Sequence, residues 1–164
     1  MANRRFRMLG ATACFALMTL LFVPPAGASN GYTQISGLGE FPDGACTEDP
    51  QGPPDYIIAL SGDLDGCVYG YVESFRFHEG GGTYQESALE IFIGSWGELE
   101  GSFQMQEFFT AKFTEDFTQE FGRCQHPIIK GSGTGDFVGI EGRLDFKDDI
   151  EAGNAPYRGH LRLG

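Results

Sequence analysis

The chain has 164 residues, with 11 basic and 23 acidic side chains and a formal charge of −12 at pH 7. That length holds one domain. The charge argues against nucleic acid and against an anionic membrane surface as partners, since both are bound through Lys and Arg.

The first 28 residues read as a secretory signal: Arg4, Arg5 and Arg7 form a basic start, Met8 to Val23 an apolar middle, and Ala26-Gly27-Ala28 a small-residue cleavage site. The apolar run stops at Pro24-Pro25 and is short for a membrane span, so no membrane partner is expected once the signal is removed. The mature chain keeps eight basic residues against 23 acidic ones, a balance of −15. It also keeps Cys46, Cys67 and Cys124 in an oxidising setting, which predicts one disulfide and one free thiol. Three pairings are possible, and the sequence does not choose among them. Pairing Cys46 with Cys67 is favoured because it would tie the N-terminal part to the rest, stabilising by about 3 kcal/mol.

Residues 29–55 carry many glycines and prolines and read as an irregular arm. From Tyr56 to Gly164 the composition turns to short aromatic and β-branched runs broken by glycine, an all-β pattern. In Cys67 to His78, Tyr69, Tyr71, Glu73, Phe75 and Phe77 alternate with Val68, Gly70 and Val72, and the aromatic side is expected to point inward. Tyr84 to Ile93 alternates Ser87, Leu89, Ile91 and Ile93 against Glu86, Ala88 and Glu90, forming a hairpin with the preceding strand across Gly80-Gly81-Gly82. Leu99 to Phe113 is the most regular strand, with Leu99, Phe103, Met105, Phe109, Ala111 and Phe113 on one side. Thr114 to Gly122 reads as a strand end and loop. Val138, Ile140, Leu144 and Phe146 mark one further strand, and Tyr157, Gly159, Leu161 and Leu163 a closing one.

One phrase recurs: Gly62-Asp63-Leu64-Asp65-Gly66, Gly97-Glu98-Leu99-Glu100-Gly101 and Gly135-Asp136-Phe137-Val138-Gly139. Each holds an acid and a large apolar residue between two glycines, then runs into a strand. The repeat fits successive hairpins. Residues 56–164 have room for about eight strands, and a small barrel closes at about that number. The fold class expected is therefore an all-β, eight-stranded antiparallel up-and-down barrel.

The stretches GDLDGC (Gly62 to Cys67), GRCQHPIIKGSGTGDFVGIEGRLDFKDD (Gly122 to Asp149) and AGNAPYRGHLRL (Ala152 to Leu163) resemble the secreted bacterial proteins of the allene oxide cyclase barrel-like group. Their relatives in fold are plant allene oxide cyclases and dirigent proteins. The resemblance implies an eight-stranded barrel with a central cavity. For the plant enzymes it implies cyclisation of a fatty-acid epoxide, and for dirigent proteins guidance of radical coupling. No plant catalytic residue matches a position here.

Two acids interrupt apolar faces, Glu73 and Glu107. If inward, each would be desolvated, the environment of a general acid or of a hydrogen-bonding ligand contact; pairing with an arginine such as Arg76 or Arg123, or a place in water at a barrel mouth, is the plainer reading. Cys124-Gln125-His126-Pro127 places a thiol and an imidazole on one side of an extended chain, although a structural turn held by Pro127 is preferred. No metal site and no cofactor are expected, because His78, His126 and His160 are scattered and the cysteines are far apart. The ligand expected is a small apolar or aromatic molecule held by Tyr69, Tyr71, Glu73, Phe75, Phe103, Glu107 and Phe109. The alternatives are a cofactor-free isomerase or cyclase and an interaction protein whose barrel is filled. The oligomeric state is left open.

Overall fold

The computed structural model describes residues 31–42, 44, 46–48 and 50–164. The predicted signal, residues 1–28, lies outside the described residues. Eight strands follow in order: β1 (Thr33–Glu40), β2 (Tyr56–Gly62), β3 (Leu64–His78), β4 (Thr83–Trp96), β5 (Leu99–Phe113), β6 (Gln119–Pro127), β7 (Ile140–Lys147) and β8 (Ala155–Leu163). Each pairs antiparallel with the next, and β1 pairs with β8, closing the barrel with no free edge. Two single-turn 3-10 helices, Glu79–Gly81 and Gly135–Phe137, complete the regular structure of the described residues.

The eighth strand is not where the composition placed it. Residues 56–164 supply seven strands, and β1 comes from the stretch read as an irregular arm. Its Gly37 and Gly39 are not breakers but clearance: a Cβ at Gly37 would lie 2.4 Å from the Tyr157 hydroxyl. The Tyr157 ring crosses the β1 wall at that point, and its hydroxyl accepts from Leu64 N at 2.9 Å.

The aromatic side of β3 is also reversed. Even residues of β3 face the interior as far as Val72, where Val68 pairs with Phe92 and joins the core. Tyr69 and Tyr71 lie on the outer surface, where Glu48, Gln51 and Gly52 meet their hydroxyls. Tyr69 is buried there, with its hydroxyl accepting from Glu48 N at 3.3 Å, and the Tyr71 hydroxyl donates to Gly52 O at 3.2 Å. The disulfide joins Cys46 to Cys67 across the same surface, and Cys124 is free. Cys46, Glu48, Gln51 and Gly52 are thus fastened to the barrel wall at β3, which is apolar on both faces there. A bulge between Val72 and Ser74 then shifts the alternation, leaving Glu73 outside, where its carboxylate accepts from Gln106 Nε2 at 2.8 Å.

The recurring glycine phrase has one structural job. Its three copies sit between β2 and β3, between β4 and β5, and before β7, all at one end of the barrel. Gly62, Gly97 and Gly135 each take a positive φ, which glycine adopts without strain. The acids Asp63 and Asp136 accept from Ser36 N at 2.7 Å and Glu100 N at 3.0 Å, tying each turn to a neighbouring segment. Leu64 and Phe137 are completely buried. Phe137 meets Phe103 edge-on at 5.5 Å between ring centroids, and Phe103 packs on Phe92 at 4.9 Å. Side chains therefore fill this half of the barrel.

Candidate functional site

The opposite end is open. A cavity of about 550 Å³ is lined by Tyr56, Ile58, Phe109 and Phe146 on its apolar walls, with Ala155 and Phe41 nearer the mouth. Glu86, Glu107, Asp148 and Asp149 also line it, and no Lys or Arg does so among the described residues.

Strand register builds the cavity floor. Tyr56 on β2, Gly70 on β3 and Glu90 on β4 lie abreast. A Cβ at Gly70 would fall 2.1 Å from the Tyr56 ring, so the bare backbone of β3 lets that ring pass over it. The Tyr56 hydroxyl then donates to Glu90 Oε1 at 2.8 Å. One layer along, Ala88 pairs with Glu107, and the β5–β6 register that sets Phe108 opposite Gln125 brings Glu107 beside His126. His126 Nδ1 lies 2.5 Å from Glu90 Oε2. Glu90 is thus held from two sides while fully buried.

Two polar atoms here have no hydrogen-bond partner, Glu107 Oε2 and His126 Nε2. One oxygen of Glu107, the Sγ of Cys124 and one ring nitrogen of His126 lie within 4.8 Å of one another. Burial, reinforced by the charges of Glu90 and Glu86, pushes the Glu107 carboxyl up to about 8. Burial and the nearby Glu107 and Glu90 likewise hold the Cys124 thiol well above its ordinary range. An activated cysteine nucleophile needs the reverse shift. The grouping of thiol, imidazole and carboxylate therefore lacks the electrostatics of thiol catalysis, despite its resemblance in composition.

Of the residues expected to hold a ligand, Glu107 and Phe109 line the cavity. Phe103 lies in the packed half and Phe75 is 70% exposed beyond the mouth. Tyr69, Tyr71 and Glu73 are outside the wall. Cys124 and His126 share the inner side of β6, as an extended chain requires, and not a turn: Pro127 is the last residue of that strand. Sequence reading missed Tyr56, Ile58, Glu90 and Phe146. Glu90 was detectable, since Glu86, Ala88 and Glu90 are in step with Phe92 and Gly94, but Leu89 and Ile91 made the other side look like the core.

The fold and site define a closed up-and-down β-barrel, packed with side chains at one end and cupped at the other, with acids in the cup. Residues 55–158 match the model of the protein family of unknown function DUF3224, and the chain belongs to that family. No curated protein matches the chain.

Proposed function

We propose that this is a secreted binding protein that holds a small molecule with an apolar or aromatic body in the open half of its barrel. The observation that carries the reading is the cavity itself. Its volume of about 550 Å³ lies within the range of roughly 300–1,000 Å³ in which small-molecule sites fall. Apolar walls with a few buried polar groups are the usual makeup of such a site, and Glu107 offers an unpaired oxygen at the floor.

The charge of the lining narrows the ligand. Among the described residues four acids and no Lys or Arg face the cavity, so an anionic head group would be repelled, while a neutral donor or an amine would be attracted. This weighs against a fatty-acid epoxide of the kind that a resemblance to allene oxide cyclases suggests, since its carboxylate would enter an acidic cup. Export is supported by the signal-like first 28 residues and by the Cys46–Cys67 disulfide, which is compatible with an extracellular protein.

The test compares an aromatic alkylamine with the matching carboxylic acid by calorimetry, on chelator-treated mature protein. Saturable one-to-one binding of the amine, at least tenfold tighter than the acid, is expected, together with its loss when Ile58→Trp fills the cup. Equal binding to wild type and Ile58→Trp, or no saturable binding of either compound, would refute the proposal. Rearrangement of the bound compound without loss of mass would favour the isomerase alternative.

A further inference from the structure

We propose that Glu107, Cys124 and His126 form a three-ligand site for Zn²⁺ at the cavity floor, with the fourth coordination position turned toward the cavity. The proposal shares a wall with the ligand cup but does not depend on an organic ligand entering it.

Three observations converge on it. First, one possible ligand atom of each residue, a Glu107 carboxylate oxygen, the Cys124 Sγ and a His126 ring nitrogen, already lies within 4.8 Å of the others. Ligands about 2.0–2.3 Å from a tetrahedral zinc stand roughly 3.3–3.8 Å apart, so closure needs a contraction of about 1 Å, within reach of small side-chain rotations. Second, Glu107 Oε2 and His126 Nε2 are unpartnered although their residues are only 5% and 1% exposed. Buried polar atoms are normally satisfied, and two such atoms beside a thiol are explained together if all three are ligands. Third, the support behind His126 is that of a metal-bound imidazole. A carboxylate can only accept, so Glu90 orients the ring through Nδ1–H, and the lone pair of neutral imidazole is left on Nε2. Glu90 is in turn fixed by the Tyr56 hydroxyl, a layer of support behind the ligands.

The donor set points to the cation. One sulfur, one nitrogen and one carboxylate oxygen suit zinc, whereas calcium and magnesium require mostly oxygen ligands. Thiolate and carboxylate together carry −2 against the metal's +2, so coordination cancels charge in a buried place. The Cys124 proton, and any on Glu107, pass to solvent as the metal binds. Glu107 and Cys124 line the cavity while His126 is buried behind them. A fourth ligand would therefore come from the cup, as water or as a donor atom of a bound molecule.

The experiment uses the mature chain with its disulfide intact, stripped with chelator and titrated with Co²⁺ and then Zn²⁺. One equivalent of Co²⁺ should give a thiolate-to-metal charge-transfer band and the strong visible bands of four-coordinate cobalt, and Zn²⁺ should displace it. Zn²⁺ should also shield Cys124 from alkylation under native conditions. Cys124→Ser should abolish the charge-transfer band and weaken Zn²⁺ binding at least tenfold. Glu90→Gln, a change behind the ligands, should weaken it by about 10–100-fold while keeping the band. Absence of the band in the wild-type protein overturns the proposal. So does equal Zn²⁺ affinity in wild type, Cys124→Ser and Glu107→Gln, which would place the ion on the acidic surface. Should the substituted chains not fold, the wild-type spectrum and the alkylation readout decide the matter alone. Amine binding is measured on chelated protein, so either proposal can fail without the other.

Discussion

The two ends of this barrel are built from the same strands but solve opposite problems. At the glycine-phrase end, Leu64, Phe92, Phe103 and Phe137 are buried without remainder, and the acids of the turns point to backbone N–H groups in neighbouring segments. At the mouth the inward positions hold Glu86, Ala88, Glu90, Glu107, Cys124 and His126, which are smaller, polar or both. Packing density drives the first end, where each buried ring adds apolar burial and dispersion contacts. The second end leaves Glu107 Oε2 and His126 Nε2 unpaired and a cavity open, features that cost stability and that the proposed ligand and zinc sites would use. One end keeps the barrel folded, and the other can therefore tolerate a cavity.

Substitutions can break that contrast, beginning with the packed end. Phe137→Ala should have the largest effect, a loss of about 3–5 kcal/mol measured by urea denaturation, because a fully buried ring would leave a hole that its neighbours Phe92 and Phe103 cannot fill. A loss under about 1 kcal/mol would mean that the end is not the packed core described. Next comes the Cys46–Cys67 fastening to the barrel wall. Replacing both Cys46 and Cys67 by Ser should cost about 3 kcal/mol, since their bond closes a loop with a sequence separation of 21. It should also increase the proteolytic sensitivity of residues 41–55 without altering barrel circular dichroism.

The same contrast explains what was legible in the sequence. Alternation in β5 and β7 was readable because one face meets the core and the other meets water. In β3 and β4 it misled, because Tyr69 and Ile91 are buried although they point away from the barrel interior, so both faces are apolar. The bulge after Val72 compounded this by moving Glu73 to the outer surface. β1 was hidden for a different reason: its inward positions after Ile35 are glycines, chosen for the rings of Tyr157 and Phe146 that press against them. The acid of the site was legible at Glu107, where a carboxylate interrupts an apolar face. Its convergence with Cys124 and His126 was not, because it depends on the β5–β6 register, which no local pattern states.

Gly70→Ala sharpens the comparison from the polar side. The new Cβ would meet the Tyr56 ring at 2.1 Å, and overpacking of this kind costs about 1–3 kcal/mol. The displaced ring would also release Glu90. In a double-mutant cycle with Tyr56→Phe, stability losses should therefore be non-additive, with a coupling of about 0.5 kcal/mol or more. Strict additivity would show that the new Cβ leaves the hydrogen bond from the Tyr56 hydroxyl to Glu90 in place.

The smallest stability change is expected from Phe109→Ala, and its value lies in the pairing with Phe103→Ala. Both residues face inward on β5, six positions apart. Phe103 is wholly buried in the packed half, whereas Phe109 is half-buried on the cavity wall. The ring removed is identical, so strand propensity and the chemistry of the substitution cancel in the comparison, leaving the environment at each end. Phe103→Ala should cost about 3–5 kcal/mol, as for other buried aromatic rings. Phe109→Ala should cost about 1 kcal/mol or less, because the ring already borders open space and its loss widens a cavity instead of creating one. Its effect should appear instead in binding, as weaker amine capture by the enlarged cup. Equal losses at the two positions would show that the mouth is packed as tightly as the base. The cavity would then collapse in solution, and the proposed ligand site would fall with it.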